Sequence, residues 1–192
     1  IGTLVYLLQE LQKKEQASFI FSSSCTVYGQ ADQMPITEMA AIKKAESPYG
    51  NTKQIGEEII QDTCRVSPNI NATALRYFNP IGAHQSALIG ELPIGVPQNL
   101  VPYITQTATG QREQLSVFGD NYPTPDGTAI RDYIHVVDLA QAHVTALKKL
   151  LKNEQATNFD FYNVGTGKGS SVLEVITAFE TVTGKKLNYK IV

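Results

Sequence analysis

Tyr49 and Lys53 stand four residues apart in the stretch SPYGNTKQIGEEI, residues 47–59. Pro48, just before the tyrosine, suits the first turn of a helix. The spacing then places a phenol and an ammonium on one helical face, one turn apart. The stretch is too polar to be core. A tyrosine has an unperturbed pKa of about 10 and is a poor base at neutral pH, but a fixed cation nearby favours its phenolate. Bringing the phenol to about 7 means roughly three units, or about 4 kcal/mol of differential stabilisation. One lysine hardly supplies that; a second positive charge, such as an oxidised nicotinamide, would complete it. A neighbouring hydroxyl would orient the phenol and share a substrate's proton. The run Ser22-Ser23-Ser24-Cys25-Thr26 offers one at the end of a candidate strand. A Tyr-x-x-x-Lys pair alone is a weak signal; joined to that hydroxyl-rich strand end, it reads as proton-transfer chemistry.

Several elements must position these groups. The chain opens without methionine on IGTLVYLLQELQKK, with Leu4, Leu7, Leu8 and Leu11 along one helical face, and is expected to be a piece of a longer polypeptide. Ser18–Ser22 reads as a short buried strand, and Tyr49 to about Arg65 as a helix. Asn71–Tyr77 alternates as a strand, and the Gly/Pro-rich stretch Asn79–Pro97 reads as loop. A helix from Gln98 to Thr109 and a strand over Gln114–Phe118 follow. Val137–Lys152 is an amphipathic helix whose core-facing stripe is expected to be Leu139, Val144, Leu147, Leu150 and Leu151. Phe159–Val164 is a strand, Ser171–Thr183 a helix and Lys186–Val192 a final strand. This alternation predicts an α/β fold around a mostly parallel sheet. In such sheets chemistry collects at the carboxyl ends of strands, here Ser22–Ser24, Tyr77–Asn79 and Asn163–Gly165.

Composition excludes several classes. With 192 residues, 42% hydrophobic and 18% charged, the chain is expected to build a packed core. A formal charge of −2 gives no basic footprint for nucleic acid, and no apolar run is long enough to cross a bilayer. Cys25 and Cys64 read as reduced thiols rather than a disulfide. His84, His135 and His143 show no metal-ligand spacing, so no metal is expected. Asn163–Gly169 contains Gly-x-Gly-x-Gly without the third glycine of a dinucleotide loop, and no acidic residue follows where a ribose partner would stand; it reads as a tight strand-to-helix turn. Asp132 and Asp138 are expected to cap a helix and to tie down Arg131.

FSSSCTVYG, SPYGNTK and LRYFNPIGAH, in that order and spacing, resemble the extended short-chain dehydrogenase/reductase family. GVPQNLVPYITQTATG, LSVFGDNYPTPDGTAIRDYIHVVDLAQAHVTAL and FYNVGTGKGSSVLEVI extend the resemblance along the chain, toward the branch that epimerises nucleotide sugars; Phe118 to His135 is its most specific part. The resemblance implies a Rossmann-like, doubly wound parallel sheet with a smaller α/β substrate-binding domain. Residues 1–79 would be the C-terminal part of the NAD-binding domain, and 80–192 mostly the UDP-sugar-binding domain, with 130–165 packing back on the first sheet. The family's glycine-rich NAD turn does not occur in this sequence.

The activity implied is interconversion of UDP-galactose and UDP-glucose through a 4-keto intermediate on tightly bound NAD, in a cytoplasmic homodimer paired through the first helix and the Tyr49 helix. Tyr49 would take the proton of the sugar 4-hydroxyl, Lys53 would bind the nicotinamide ribose and lower the phenol's pKa, and Ser24 would hydrogen-bond the same hydroxyl. Ser22 and Phe78 would border the cofactor. Cys25, Thr26, Asn79, Asn99, Ser116, Val117, Phe118 and Arg131 would contact the UDP-sugar, with Arg131 offering its fork to the diphosphate. Two related activities stand beside this one. A 4,6-dehydratase would need Asp-Glu after Thr26, where Val27 and Tyr28 stand. Epimerisation of a uronate or an N-acetylhexosamine is not separated by these residues.

Overall fold

In the computed structural model, which describes residues 1–192, Ser22–Ser24 of the hydroxyl-rich run end a strand, and Cys25 and Thr26 open the turn that follows. In chain order the elements are α1 (Gly2–Gln12), β1 (Ala17–Ser24), a 3-10 turn over Cys25–Tyr28, α2 (Pro48–Val66), β2 (Ile70–Tyr77), β3 (Asn79–Ile81) and α3 (Leu100–Ala108). There follow β4 (Leu115–Val117), β5 (Ile130–His135), α4 (Val136–Leu151), β6 (Phe159–Val164), β7 (Gly169–Ser171), α5 (Val172–Thr183) and β8 (Tyr189–Ile191). The chain divides into two units, one of Ile1–Phe78 with Asp138–Gly165, the other of Asn79–Val137 with Thr166–Val192. Of the segment 130–165, residues 138–165 therefore lie in the first unit and 130–137 in the second.

The first unit is built on a parallel sheet in the order β1-β2-β6. Its register pairs Ser24 with Tyr77, and Tyr77 with Val164, so the carboxyl ends of all three strands fall on one line. Leu8, Ala17, Ile60, Cys64, Ile70 and Ala72 form the core, with Leu4, Leu11, Phe19 and Phe21 packed against it. Burial pushes the Cys64 thiol up to about 11. Gly56 lets α2 approach β1: a Cβ there would come within 2.7 Å of the Phe21 ring.

Two helical stripes need correction. On α1, Leu7 is exposed while Leu4, Leu8 and Leu11 face inward, because i, i+4, i+7 is the narrower true face. On α4, Leu139 and Leu150 are buried together with Ala146, whereas Val144 (52% exposed), Leu147 and Leu151 (67%) face outward. The buried set follows i, i+7, i+11, and the exposed leucines lie roughly one residue's rotation beyond it.

The second unit holds two small sheets, β3-β5-β7 and the parallel pair β4-β8. β3 runs parallel to β5, and β7 antiparallel to it. β3 falls in the stretch expected to be loop, since three residues containing a proline carry no alternation to read. Ile104, Leu115, Val117, Ile176 and Leu187 form this unit's core. Ser171 caps α5 in a capping box with Glu174. No helix of the chain is long and apolar enough to cross a membrane.

Candidate functional site

Ser47 starts α2: its side chain accepts from the Gly50 backbone at 3.1 Å, with Pro48 in the first turn. Gly50 sits close against Thr26, whose carbonyl oxygen would lie 3.2 Å from a Cβ at that position, so the first turn of α2 abuts the end of β1. Tyr49 and Lys53 follow on that turn. The Lys53 ammonium donates to the Ser22 carbonyl at 2.7 Å and lies 5.4 Å from the centre of the Tyr49 ring. Ser24 accepts from the Thr26 backbone at 3.3 Å and lies near enough to the Tyr49 phenol to lower its pKa. Ser22, Ser24, Cys25, Thr26, Tyr49 and Lys53 are thus gathered at the carboxyl end of β1. Phe78, half-buried, follows β2 with its N–H on the Val164 carbonyl at 3.1 Å.

The electrostatics run against one expectation. The Tyr49 phenol is raised, not lowered: burial lifts it, the Ser24 hydrogen bond pulls it down, and Tyr77 and Cys25 lift it further. Lys53 does not depress it, because its ammonium is directed at a backbone carbonyl, and burial lowers the pKa of the amine itself.

The second unit carries a cavity of about 450 Å³. Asn79, Asn99, Ser116, Val117, Phe118 and Arg131 all line it, together with Tyr103, Tyr122 and Tyr133, which the sequence did not single out. Its size is that of an ordinary ligand pocket. Asn79 donates to the Asp132 carbonyl at 3.1 Å and Asn99 to Glu91 at 3.0 Å. Asn99 makes no side-chain cap on α3, and Leu100 and Val101 of its first turn line the cavity. Val117 contributes only backbone, since its side chain is core and its carbonyl accepts from Val192 at 2.9 Å. Ser116 and Phe118, next to it on the strand, direct their backbone groups the other way. Arg131 is exposed and donates to the Ile130 carbonyl at 2.7 Å.

Asp132 does not tie down Arg131. Its carboxylate accepts from the Thr166 N–H at 2.9 Å, the Thr166 hydroxyl at 2.7 Å and the Gly167 N–H at 2.9 Å. The glycine turn that imitates a phosphate loop is therefore closed by an internal anion. The histidines serve locally: His135 accepts from the Val137 N–H, His143 bonds the Leu139 carbonyl, and His84 bonds Ser86.

Sequence reasoning missed a buried network in the first unit. Glu57 (5% exposed) and Arg76 (2%) form an ion pair beneath the serines. Arg76 Nε donates to Glu57 at 3.0 Å, Ser23 donates to the same carboxylate, and Arg76 reaches the Tyr28 hydroxyl at 2.9 Å. Tyr28 in turn donates to Asn163 at 2.7 Å. One signal was available: an arginine inside the otherwise apolar strand NATALRY must have a partner if it is buried.

The sequence profile of the NAD dependent epimerase/dehydratase family matches residues 1–165. The UDP-glucose 4-epimerase of Haemophilus influenzae is 51% identical over 191 residues, covering 100% of this chain and 55% of that protein. The UDP-glucose 4-epimerase of Drosophila melanogaster is also 51% identical over 191 residues, covering 100% and 54%. Among solved structures, UDP-glucose-4-epimerase from Stenotrophomonas maltophila with bound NAD and formylated UDP-arabinopyranose superposes with a TM-score of 0.93 at 48% identity, covering 100% of this chain and 56% of that one. UDP-glucose 4-epimerase from Bifidobacterium longum in complex with NAD+ and UDP gives 0.91 at 44% identity, covering 99% and 56%. This chain spans about 55% of the length of the curated relatives it matches.

Proposed function

The chain belongs to the NAD dependent epimerase/dehydratase family, and from that premise we propose that the full-length polypeptide interconverts UDP-galactose and UDP-glucose by inversion at the sugar C4. The observation that carries this reading is the gathering of Ser24, Tyr49 and Lys53 at the end of β1, with the serine hydroxyl close enough to the phenol to lower its pKa and the ammonium 5.4 Å from the ring. Tyr49 takes the proton of the 4-hydroxyl and returns it after inversion. Ser24 holds that hydroxyl and the phenol in line, so the proton moves along a preset path. Bound NAD would supply the reversible hydride acceptor for C4.

The residues present fit such a cofactor. An ammonium has three donors, and Lys53 directs one at the Ser22 carbonyl, which leaves N–H groups for ribose hydroxyls. Phe78 offers an apolar face after β2. The cavity of the second unit takes the nucleotide: Arg131 and the α3 N-terminus suit the diphosphate, and the outward backbone of Ser116 and Phe118 suits the uracil edge. Firm hold on UDP and loose hold on the hexose permit the ketose to turn over. Elimination of the 6-hydroxyl is not favoured, because Val27 and Tyr28, where a dehydratase would place its acids, are fully buried and carry none.

The same reading makes the enzyme a cytoplasmic homodimer paired through α1 and α2; the exposed Tyr6 and Leu7 on α1 supply apolar surface for it. Light scattering checks this, and a monomer at high concentration contradicts it. For the chemistry, Tyr49→Phe in the full-length protein abolishes interconversion of the two UDP-sugars while UDP affinity stays at the parent value. Turnover persisting in that variant overturns the assignment.

A further inference from the structure

Tyr49, Lys53 and Glu57 follow one another at four-residue spacing on a single face of α2. The first two reach the end of β1; the third goes beneath it. The Glu57 carboxylate accepts from the Ser23 hydroxyl and from Arg76 Nε at 3.0 and 3.2 Å, besides the ion pair to the Arg76 terminal nitrogen. Ser23 and Arg76 are register partners between β1 and β2, and Arg76 and Asn163 are partners between β2 and β6. One rung of the sheet, Ser23–Arg76–Asn163, is thus bolted to α2 through Glu57 and to the 3-10 turn through Tyr28, which bonds both Arg76 and Asn163. The rung above it is Ser24 with Tyr77. Arg76 also stacks on the Phe161 ring with its guanidinium 3.9 Å from the centroid, so the pair has a fixed direction.

A pair this deeply buried gains little net stability over apolar side chains of the same volume. What it does supply is register. A helix that packs only through apolar contacts can slide along a sheet by a fraction of a turn, whereas a carboxylate bonded to two adjacent strands cannot. We propose that Glu57 is a positioning residue: it sets the height of α2 along β1 and β2, and so holds Tyr49 on Ser24 and Lys53 on the Ser22 carbonyl. This rests on the reading of Tyr49 as the proton acceptor. It assigns Glu57 no contact with substrate.

The test uses Glu57→Gln in the full-length protein, assayed below its unfolding temperature with UDP-galactose, together with hydrogen exchange followed by mass spectrometry. The expected result is a KM within about twofold of the parent and a kcat lower by about tenfold to a hundredfold, the cost of sub-ångström misplacement of reacting groups. Exchange rises in peptides from residues 20–28 and 47–57 and stays at the parent rate elsewhere. Unchanged kcat in the folded variant, with only a lower melting temperature, overturns the proposal. Should Glu57→Gln fail to fold, the double variant Glu57→Met, Arg76→Leu removes both charges at similar volume; it is expected to fold and show the same loss of kcat, and parent-like kcat overturns the proposal. Should the parent itself not interconvert the sugars, the functional reading fails separately, and exchange decides this one: a rise confined to the two segments upholds it, and a uniform rise or none removes it.

Discussion

Arg76→Leu is the sharpest probe of the buried network. The guanidinium is 2% exposed, and its partner carboxylate on Glu57 has a side chain 6% exposed, so neither reaches bulk water. Burial works against the charge on Arg76, but the hydrogen bonds it donates to Glu57 and Tyr28 more than offset it and hold the group firmly protonated. Replacing it with leucine keeps apolar volume against Phe161 but strands the Glu57 carboxylate, whose remaining side-chain donor is Ser23. Breaking a buried pair from one side costs about 3–5 kcal/mol, a large part of the 5–15 kcal/mol that typically holds a domain together. With a urea dependence of about 2 kcal/mol per molar, the unfolding midpoint falls by roughly 1.5–2.5 M. Urea titration followed by far-ultraviolet circular dichroism reads this directly. The double variant Glu57→Met, Arg76→Leu regains most of the loss, because no charge is then stranded. If Arg76→Leu shifts the midpoint no more than a surface substitution, the burial described here is wrong. If the double variant is as unstable as the single, the penalty comes from the lost Phe161 stack and Tyr28 bond, and the stranded-charge reasoning fails.

Two further outcomes are expected. Leu150→Ala on α4 costs about 2–5 kcal/mol, and Leu151→Ala, one residue on but 67% exposed, stays within about 0.5 kcal/mol; thermal melts of the two variants separate them. Asp126→Asn lowers stability at neutral pH, where the carboxylate accepts from Ser171 and from the Thr128 backbone at 2.9 Å. Those bonds, the Ser171 one first, hold its pKa below the ordinary 3.8, so the stability it contributes is present above that value and lost as pH falls through the lower folded one. The gap between parent and variant in urea midpoint is therefore widest near neutrality and closes in acid; a gap constant with pH contradicts the argument.

The long elements were legible because their periodicity is strong: α2 begins at Pro48 where SPYG announces it, and β2 at Ile70, one residue before the alternation of NATALRY. Of the short ladders, β4 falls within the strand expected over Gln114–Phe118 and β8 within that over Lys186–Val192, whereas β3 and β7 were not foreseen. β3 and β7 have three residues each, too few for a period of two to declare itself, and β8 begins three residues later than the strand expected over Lys186–Val192. The α4 stripe failed for a different reason. Leucine is a strong helix former on either face, so Val144, Leu147 and Leu151 look like core by type, and only Ala146, too small to attract notice, marks the true face. At the site, Tyr49 and Lys53 could be named from spacing, and Ser24 was singled out of the run Ser22–Thr26 by the family resemblance. Glu57 could not, since its partners Ser23 and Arg76 come from two other elements, and only strand register brings them opposite each other.

The raised phenol sharpens what the proposed chemistry demands. A unit charge about 5 Å away, at an effective dielectric constant near 20, moves a pKa by about two units, and by far less when water intervenes. Tyr49 is 53% exposed, its ammonium neighbour is bound to the Ser22 carbonyl, and the surrounding groups push the phenol above its ordinary value. The pair by itself therefore leaves the tyrosine protonated at neutral pH. For it to act as a base, a further cation has to arrive within a few ångströms, and a nicotinium ring carries that charge where a reduced ring does not. Were NAD held beside the phenol, its oxidised ring would add the charge that favours the phenolate, and its reduced ring would leave the phenol protonated and able to donate.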